Sequence, residues 1–264
     1  LMITGGTYVV NSASHGLDAN DSVRIANAAL TIDAGKDAIH CENSEDAAKG
    51  FIYISSGTIK AEAEGDGIAA SAYMQITDGT IDPFSLFKDY VLMGDSRAVG
   101  YWYWDFLDKG RVLADGGHTI RNIEKQMDTL VSLNPSTIYL CYGLNDISIG
   151  YWDTKEAYVA EYIQIVEQIQ NRLPDATIVV SSILPARDPA FNRSSKWRNI
   201  PEWSAALEAA CKKNGIVFAN CDKLAEDYPK LWDPDGIHFR KEFYPYWASN
   251  LVVATLMEGA DDES

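Results

Sequence analysis

Short β-prone runs recur at near-regular intervals along the first eighty residues, and no long amphipathic helix pattern interrupts them. Gly6-Thr7-Tyr8-Val9, Ala29-Leu30-Thr31-Ile32, Gly57-Thr58-Ile59-Lys60 and Gly79-Thr80-Ile81 lie 23, 28 and 22 residues apart. A second series, His15-Gly16-Leu17, Asp37-Ala38-Ile39 and Asp66-Gly67-Ile68, keeps step with the first. The longer middle interval holds a polar stretch, ENSEDAAKG, from Glu42 to Gly50. A period in the low twenties built from strands restricts the chain to a solenoid in which each coil buries its apolar residues against the next. The spacing predicts about three and a half coils of a right-handed parallel β-helix over residues 1–82. Val9, Leu17, Ile25, Ile32, Ile39, Ile54, Ile59, Ile68 and Ile76 would form its interior. Asp37 and Asp66 share a column with His15; stacked carboxylates there need hydration or a bridging cation such as calcium. His15 and His40 read as structural members of the repeat.

From Lys88 the pattern changes to alternating strands and helices, which predicts an α/β domain over residues 88–264 with a parallel sheet. Strands are expected at Tyr90–Met93, Val112–Leu113, Thr137–Tyr142, Thr177–Leu184 and Ile216–Ala219. Helical spacing runs through IRNIEKQMDTLVSL, TKEAYVAEYIQIVEQIQNRL, IPEWSAALEAACKKNG and FRKEFYPYWASNLVVATLMEG. The formal charge of −16 argues against nucleic acid, because phosphates would be repelled, and no apolar run is long enough to span a bilayer. Four scattered cysteines give no zinc spacing and no disulfide framework, although Cys211 and Cys221 could pair. The chain opens at Leu1 in mid-repeat, as expected of a trimmed or processed chain, so the lack of a signal peptide carries little weight.

In a parallel α/β sheet, ligands collect beyond the carboxyl ends of the strands. The chemically capable residues of this chain cluster there. Ser96 follows the first strand, Gly116-Gly117-His118 the second, and Gly143-Leu144-Asn145-Asp146 the third. A long loop, Pro185 to Trp197, follows the fourth, and Asp235-Gly236-Ile237-His238 follows the fifth.

Gly94-Asp95-Ser96, Gly117, Gly143-Leu144-Asn145-Asp146 and Asp235-Gly236-Ile237-His238, in that order, resemble the four blocks of the SGNH, or GDSL-type, hydrolases over residues 88–258. The resemblance implies a three-layer α/β/α fold and a serine esterase that needs no cofactor for catalysis. It implies Ser96 as nucleophile, His238 as its base and Asp235 as the group orienting that base. The oxyanion would be held by the backbone N–H groups of Ser96 and Gly117 and the side-chain amide of Asn145. A Cβ at Gly117 would be expected to obstruct the approach of that backbone. Asp146 is expected to brace its loop. His118 is a rival base or a substrate contact. Arg97 stands where the family often has leucine; it could fix a substrate carboxylate or pair with a nearby acid.

The first 82 residues resemble the parallel β-helix carbohydrate-binding domains of bacterial surface proteins, with their recurring Gly-Thr-Ile and Asp-Gly-Ile elements. That resemblance implies polysaccharide binding, sometimes with calcium, and an extracellular or cell-surface setting. Trp152, Trp197 and Trp232 fall in expected loops, where exposed rings could stack on sugars. Together these features predict an esterase that removes small acyl groups, most simply acetyl, from a polysaccharide or oligosaccharide. Two alternatives stand beside it: a non-catalytic polysaccharide-binding surface protein, and an acyltransferase using the same triad.

Overall fold

The computed structural model describes residues 1–46, 49–72, 74–76, 80–81 and 83–261. The chain divides into two compact units, Leu1–Leu86 and Phe87–Ser264.

The first unit is a stack of parallel strands. One sheet holds β1 (Met2–Ile3), β4 (Ser22–Ile25), β7 (Phe51–Ile54) and β10 (Met74–Ile76). A second holds β2 (Gly6–Ser12), β5 (Ala28–Ala34), β8 (Gly57–Ala63) and β11 (Thr80–Ile81), and a third β3 (Leu17–Ala19), β6 (Ile39–Cys41) and β9 (Ile68–Ala70). Each of the first three coils contributes one strand to each sheet, and the last adds β10 and β11. Residues alternate in and out along a strand, so Val23, Ile25, Leu30, Ile32, Ile39, Ile52, Ile54 and Ile59 meet in a continuous interior.

The register corrects the expected alignment at one point. Gly6 pairs with Ala28, which in turn pairs with Gly57, and Thr58 pairs with Thr80. The coil steps are therefore 22, 29 and 22 residues rather than 23, 28 and 22. A one-residue slip exchanges the two faces of a strand. Val10 packs against the interior, whereas Val9 is 71% exposed. Ile76, also expected inside, is exposed. Ala47 and Ala48 of the polar insertion, and Gly79 of the fourth run, lie outside the described residues.

The second unit is built on five parallel strands in the order β13-β12-β14-β15-β16: β12 (Tyr90–Gly94), β13 (Val112–Ala114), β14 (Thr137–Cys141), β15 (Thr177–Ser181) and β16 (Val217–Ala219). Val91, Met93, Ile138, Leu140, Ile178 and Val180 face one side of this sheet. There they pack with Ile123, Met127 and Leu130 of α2 (Asn122–Leu133), Tyr158, Tyr162, Val166 and Ile169 of α4 (Lys155–Arg172), and Trp203 and Leu207 of α5 (Ile200–Lys213). The alternate strand residues point the other way. Tyr139 meets Phe87 there, and α7 (Tyr244–Asp261) lies against β15 and β16. Pro245 sits in the first turn of α7, where its missing N–H costs no hydrogen bond. Three short helices complete the unit: α1 (Gly100–Tyr103), α3 (Leu144–Ile149) and α6 (Leu224–Asp227). The result is a three-layer α/β/α domain. All four cysteines are buried and unpaired, so Cys211 and Cys221 form no disulfide. Among the described residues no helix is long and apolar enough to cross a membrane.

Candidate active site

The first corner is made by β12. Gly94 ends the strand, and Asp95 still donates its N–H to Cys141 O on β14, at 3.2 Å. The chain then turns at once: Ala98 N–H returns to Asp95 O at 3.0 Å, and the Asp95 carboxylate accepts the Arg97 N–H at 3.0 Å. Gly94 is required by contact, because a Cβ there would meet Ala98 Cβ at 2.5 Å and Cys141 O at 2.7 Å. Ser96 is thereby held at the tip of the turn.

The last corner supplies its partner. Ser96 Oγ lies 2.9 Å from His238 Nε2, and His238 Nδ1 lies 2.6 Å from Asp235 Oδ2. The other oxygen of Asp235 accepts two backbone N–H groups, from Ile237 and His238, each at 2.9 Å. The loop is closed by Asp233 N–H to His238 O at 2.9 Å and by Arg187 N–H to Gly236 O at 3.0 Å. Burial alone would raise the Asp235 pKa. The N–H groups of His238 and Ile237, together with the His238 ring, outweigh it and hold the carboxyl below its usual range. An ionised Asp235 fixes the Nδ1–H tautomer of His238 and leaves Nε2 to receive the Ser96 proton.

The two middle corners meet through Asn145, which sits on α3 directly behind the turn at Gly143. Its Nδ2 donates one hydrogen to His118 O at 3.0 Å, which ties it to the Gly117 turn and leaves the second amide hydrogen available. Asp146 Oδ1 accepts the Ile120 N–H at 2.9 Å and binds the same two loops from inside. Among the described residues, the backbone N–H groups of Ser96 and Gly117 have no acceptor. The expected reason for glycine at 117 is corrected: a Cβ there would meet nothing within 4 Å. Glycine is needed because φ is +77°, in the left-handed region.

Several other expected site residues are placed elsewhere. His118 makes no bond to Ser96; its backbone carbonyl serves Asn145 instead. Arg97 is only 3% exposed, so it cannot reach a substrate in the open cleft. Its Nη1 donates to Leu184 O, its backbone carbonyl accepts the Tyr244 hydroxyl at 2.8 Å, and its charge faces Asp95. Burial lowers its pKa to about 10, against the pull of Asp95. Burial also raises the Asp95 carboxyl, with Arg97 opposing. Arg97 is therefore an internal countercharge.

The three tryptophans are corrected as well, because all are buried and each indole N–H is already used. Trp152 donates to Glu161 Oε2 at 2.7 Å, Trp197 to Leu144 O at 2.8 Å, and Trp232 to Ala225 O at 2.8 Å. None offers a free face for a sugar. Trp197 instead anchors α3, the helix that carries Asn145, and Trp232 packs on Phe239 beside His238. Asn145, expected in a loop, lies on a short helix. Six residues of helix are too few to show a period, although Gly143 followed by acidic Asp146 in the first turn is a weak start signal.

A family model described as the GDSL-like lipase/acylhydrolase family matches residues 76–244, and one described as a carbohydrate-binding domain-containing protein matches residues 1–85. No curated protein matches the chain. Among solved structures, a Parabacteroides merdae protein designated a GDSL-like lipase is similar at 18% identity and a TM-score of 0.54, covering 64% of this chain and 96% of that one. The lipase/acylhydrolase of Enterococcus faecalis is 14% identical with a TM-score of 0.53, covering 65% and 97%. A carbohydrate esterase family 3 protein of Talaromyces cellulolyticus is 15% identical with a TM-score of 0.50, covering 66% and 99%. At these identities the likeness is one of fold. SGNH hydrolases typically need no cofactor, and Ser96, His238 and Asp235 stand in successive hydrogen-bond contact. The match to the lipase/acylhydrolase model spans well over half of the sequence, and the protein therefore belongs to the GDSL-like lipase/acylhydrolase family as an SGNH-type serine ester hydrolase.

Proposed function

We propose that the protein removes small acyl groups, most simply acetyl, from a polysaccharide or oligosaccharide through an acyl-enzyme on Ser96. The observation that carries the proposal is the unbroken chain from Ser96 Oγ to His238 Nε2, 2.9 Å, and from His238 Nδ1 to Asp235, 2.6 Å. His238 takes the Ser96 proton as Oγ attacks the ester carbonyl. The N–H groups of Ser96 and Gly117 and the Asn145 amide receive the negative charge on the carbonyl oxygen. His238 then protonates the leaving sugar hydroxyl. In the second half, water gives its proton to His238 and attacks the acyl carbon, which releases the acid and restores Ser96.

The carbohydrate part of the reading is supported by the match of residues 1–85 to a carbohydrate-binding domain, carried by the same chain as the hydrolase. The buried tryptophans no longer contribute to it. Residues 1–82 as the binding unit and 88–264 as the catalytic unit are part of the same proposal, and so is action outside the cell, where polymeric substrate is met.

The test compares wild type with Ser96→Ala, both checked by circular dichroism. Initial rates are measured on p-nitrophenyl acetate, butyrate and octanoate, and acetate release on an acetylated polysaccharide. The expected result is hydrolysis that favours acetate and a loss of at least about a thousandfold in the variant. Equal rates in both proteins would remove Ser96 from the mechanism, and a preference for octanoate would overturn the small-acyl reading.

A further inference from the structure

The parallel coils carry a side-chain cluster unrelated to the esterase site. Asp18 of β3 lies opposite His40 of β6, which brings His15, just before β3, beside Asp37, just before β6. The His15 and His40 rings stack with centroids 4.1 Å apart and planes 17° from parallel. Asp37 Oδ2 lies 3.1 Å from His15 Nδ1 and 3.9 Å from His40 Nε2. Glu42 Oε2 lies 3.6 Å from the same His40 nitrogen.

The hydrogen bonds around the cluster set the direction of the ring lone pairs. His40 Nδ1 is 2.8 Å from Asp18 Oδ1. That contact places the proton on Nδ1 and leaves the Nε2 lone pair facing Asp37 and Glu42. His15 Nδ1 accepts the backbone N–H of Asp37 at 3.3 Å, a long bond that a bound ion would replace. One ligand atom from each of His15, Asp37 and His40 lies within 4.8 Å of the other two. The side chains of His15, Asp37 and His40 are 19%, 16% and 19% exposed, largely shielded yet open to solvent.

We propose that His15 Nδ1, Asp37 Oδ2 and His40 Nε2 bind a divalent first-row transition-metal ion, best matched by Zn²⁺, with Glu42 or water completing the shell. Donors held at about 2.0–2.1 Å from a tetrahedral zinc stand about 3.3 Å from each other. The separations of 3.1, 3.6 and 3.9 Å bracket that value. Asp18 holds the far nitrogen of His40, the carboxylate–histidine pairing that orients metal-bound imidazoles. The calcium expected of the repeat fits these donors poorly, because calcium takes six to eight oxygen ligands and two of the three atoms here are imidazole nitrogens. Asp37 Oδ1 is in addition occupied by the Asp66 N–H at 2.8 Å. A bound ion would clip His15 of one coil to Asp37 and His40 of the next, adding a cross-link to strands already joined by the parallel ladder of β3 and β6.

The test is isothermal titration of the full chain, stripped with a chelator, with ZnCl₂ and in parallel with CaCl₂. One Zn²⁺ per chain is expected, bound far more tightly than Ca²⁺, together with a rise in the midpoint of thermal unfolding. His40→Gln and His15→Gln should each weaken zinc binding by more than about a hundredfold. Asp18→Asn, at a side chain 59% exposed and so safe for folding, should weaken it by about 10–100-fold. His238→Ala, in the other histidine–carboxylate pair, should leave the zinc affinity in place. Absence of zinc binding, zinc binding that survives both glutamine variants or is lost with His238→Ala, or calcium bound as tightly as zinc would each overturn the proposal.

Discussion

Asp146 shows how a buried carboxylate can serve the site without touching substrate. One oxygen holds the Ile120 N–H, and the other has no partner. Burial pushes its pKa up to about 7; the Ile120 N–H opposes the shift and the charge of Asp95 adds to it. An unfolded aspartate titrates near 3.9, so between about pH 4 and 7 the native state binds the extra proton. Stability from this group is therefore fully present below about pH 4 and lost as pH rises through 7. Asp146→Asn should flatten that dependence, so that wild type loses more unfolding free energy than the variant between pH 5 and pH 8 in urea titrations. Asp235 has the opposite sign, since its depressed pKa keeps it ionised into acid. Asp235→Asn should lower the esterase rate by about three to four orders of magnitude, because an amide no longer selects the required His238 tautomer, while the circular dichroism stays native. Asn145→Ala should lower kcat by about 10²–10³ with KM little changed, as expected when a donor acts mainly in the transition state.

At the scale of elements, strand alternation and helix periodicity were legible because each depends on neighbours a few residues away. The helices expected in the α/β half appear as α2, α4, α5 and α7, and the five expected strands as β12 to β16. The repeat was legible too, but its second run was set one residue late, at Ala29 where the ladder puts Ala28. Val9 and Val10 are both β-branched and adjacent, so composition gives no reason to prefer one; the ladder of Gly6 opposite Ala28 decides it. Val10→Asp should therefore cost about 1–3 kcal/mol by carrying an unpaired charge toward the interior. Val9→Asp should change stability by less than about 0.5 kcal/mol, both read from urea unfolding. The opposite ranking would reject the register. The tryptophans teach a similar point: an aromatic in a loop suits a sugar platform or a brace equally well, and the acceptors at Leu144 O and Ala225 O make two of these three braces.

On the scale of the whole molecule, the chain joins a solenoid that matches a carbohydrate-binding domain to a hydrolase in which Ser96 and His238, 142 residues apart, are in contact. If binding and turnover belong to different units, they separate genetically. Ser96→Ala in the full chain should bind an acetylated polysaccharide as well as wild type in affinity electrophoresis while releasing no acetate. Loss of binding together with turnover would place recognition at the esterase corner instead.

By itself the sequence determined what local order can encode: a strand-built repeat, an alternation of strands and helices, and the succession of Ser96, Gly117, Asn145 and Asp235 to His238 at strand ends. Tertiary structure alone decided which groups meet and which are shielded. It turned Arg97 inward to face Asp95, buried the three tryptophans, and brought His15 and His40 to one carboxylate across neighbouring coils. The physical reason is the same in each case. A side chain's chemistry depends on its acceptors, countercharges and exposure, and these come from segments far away in the chain that only folding places beside it.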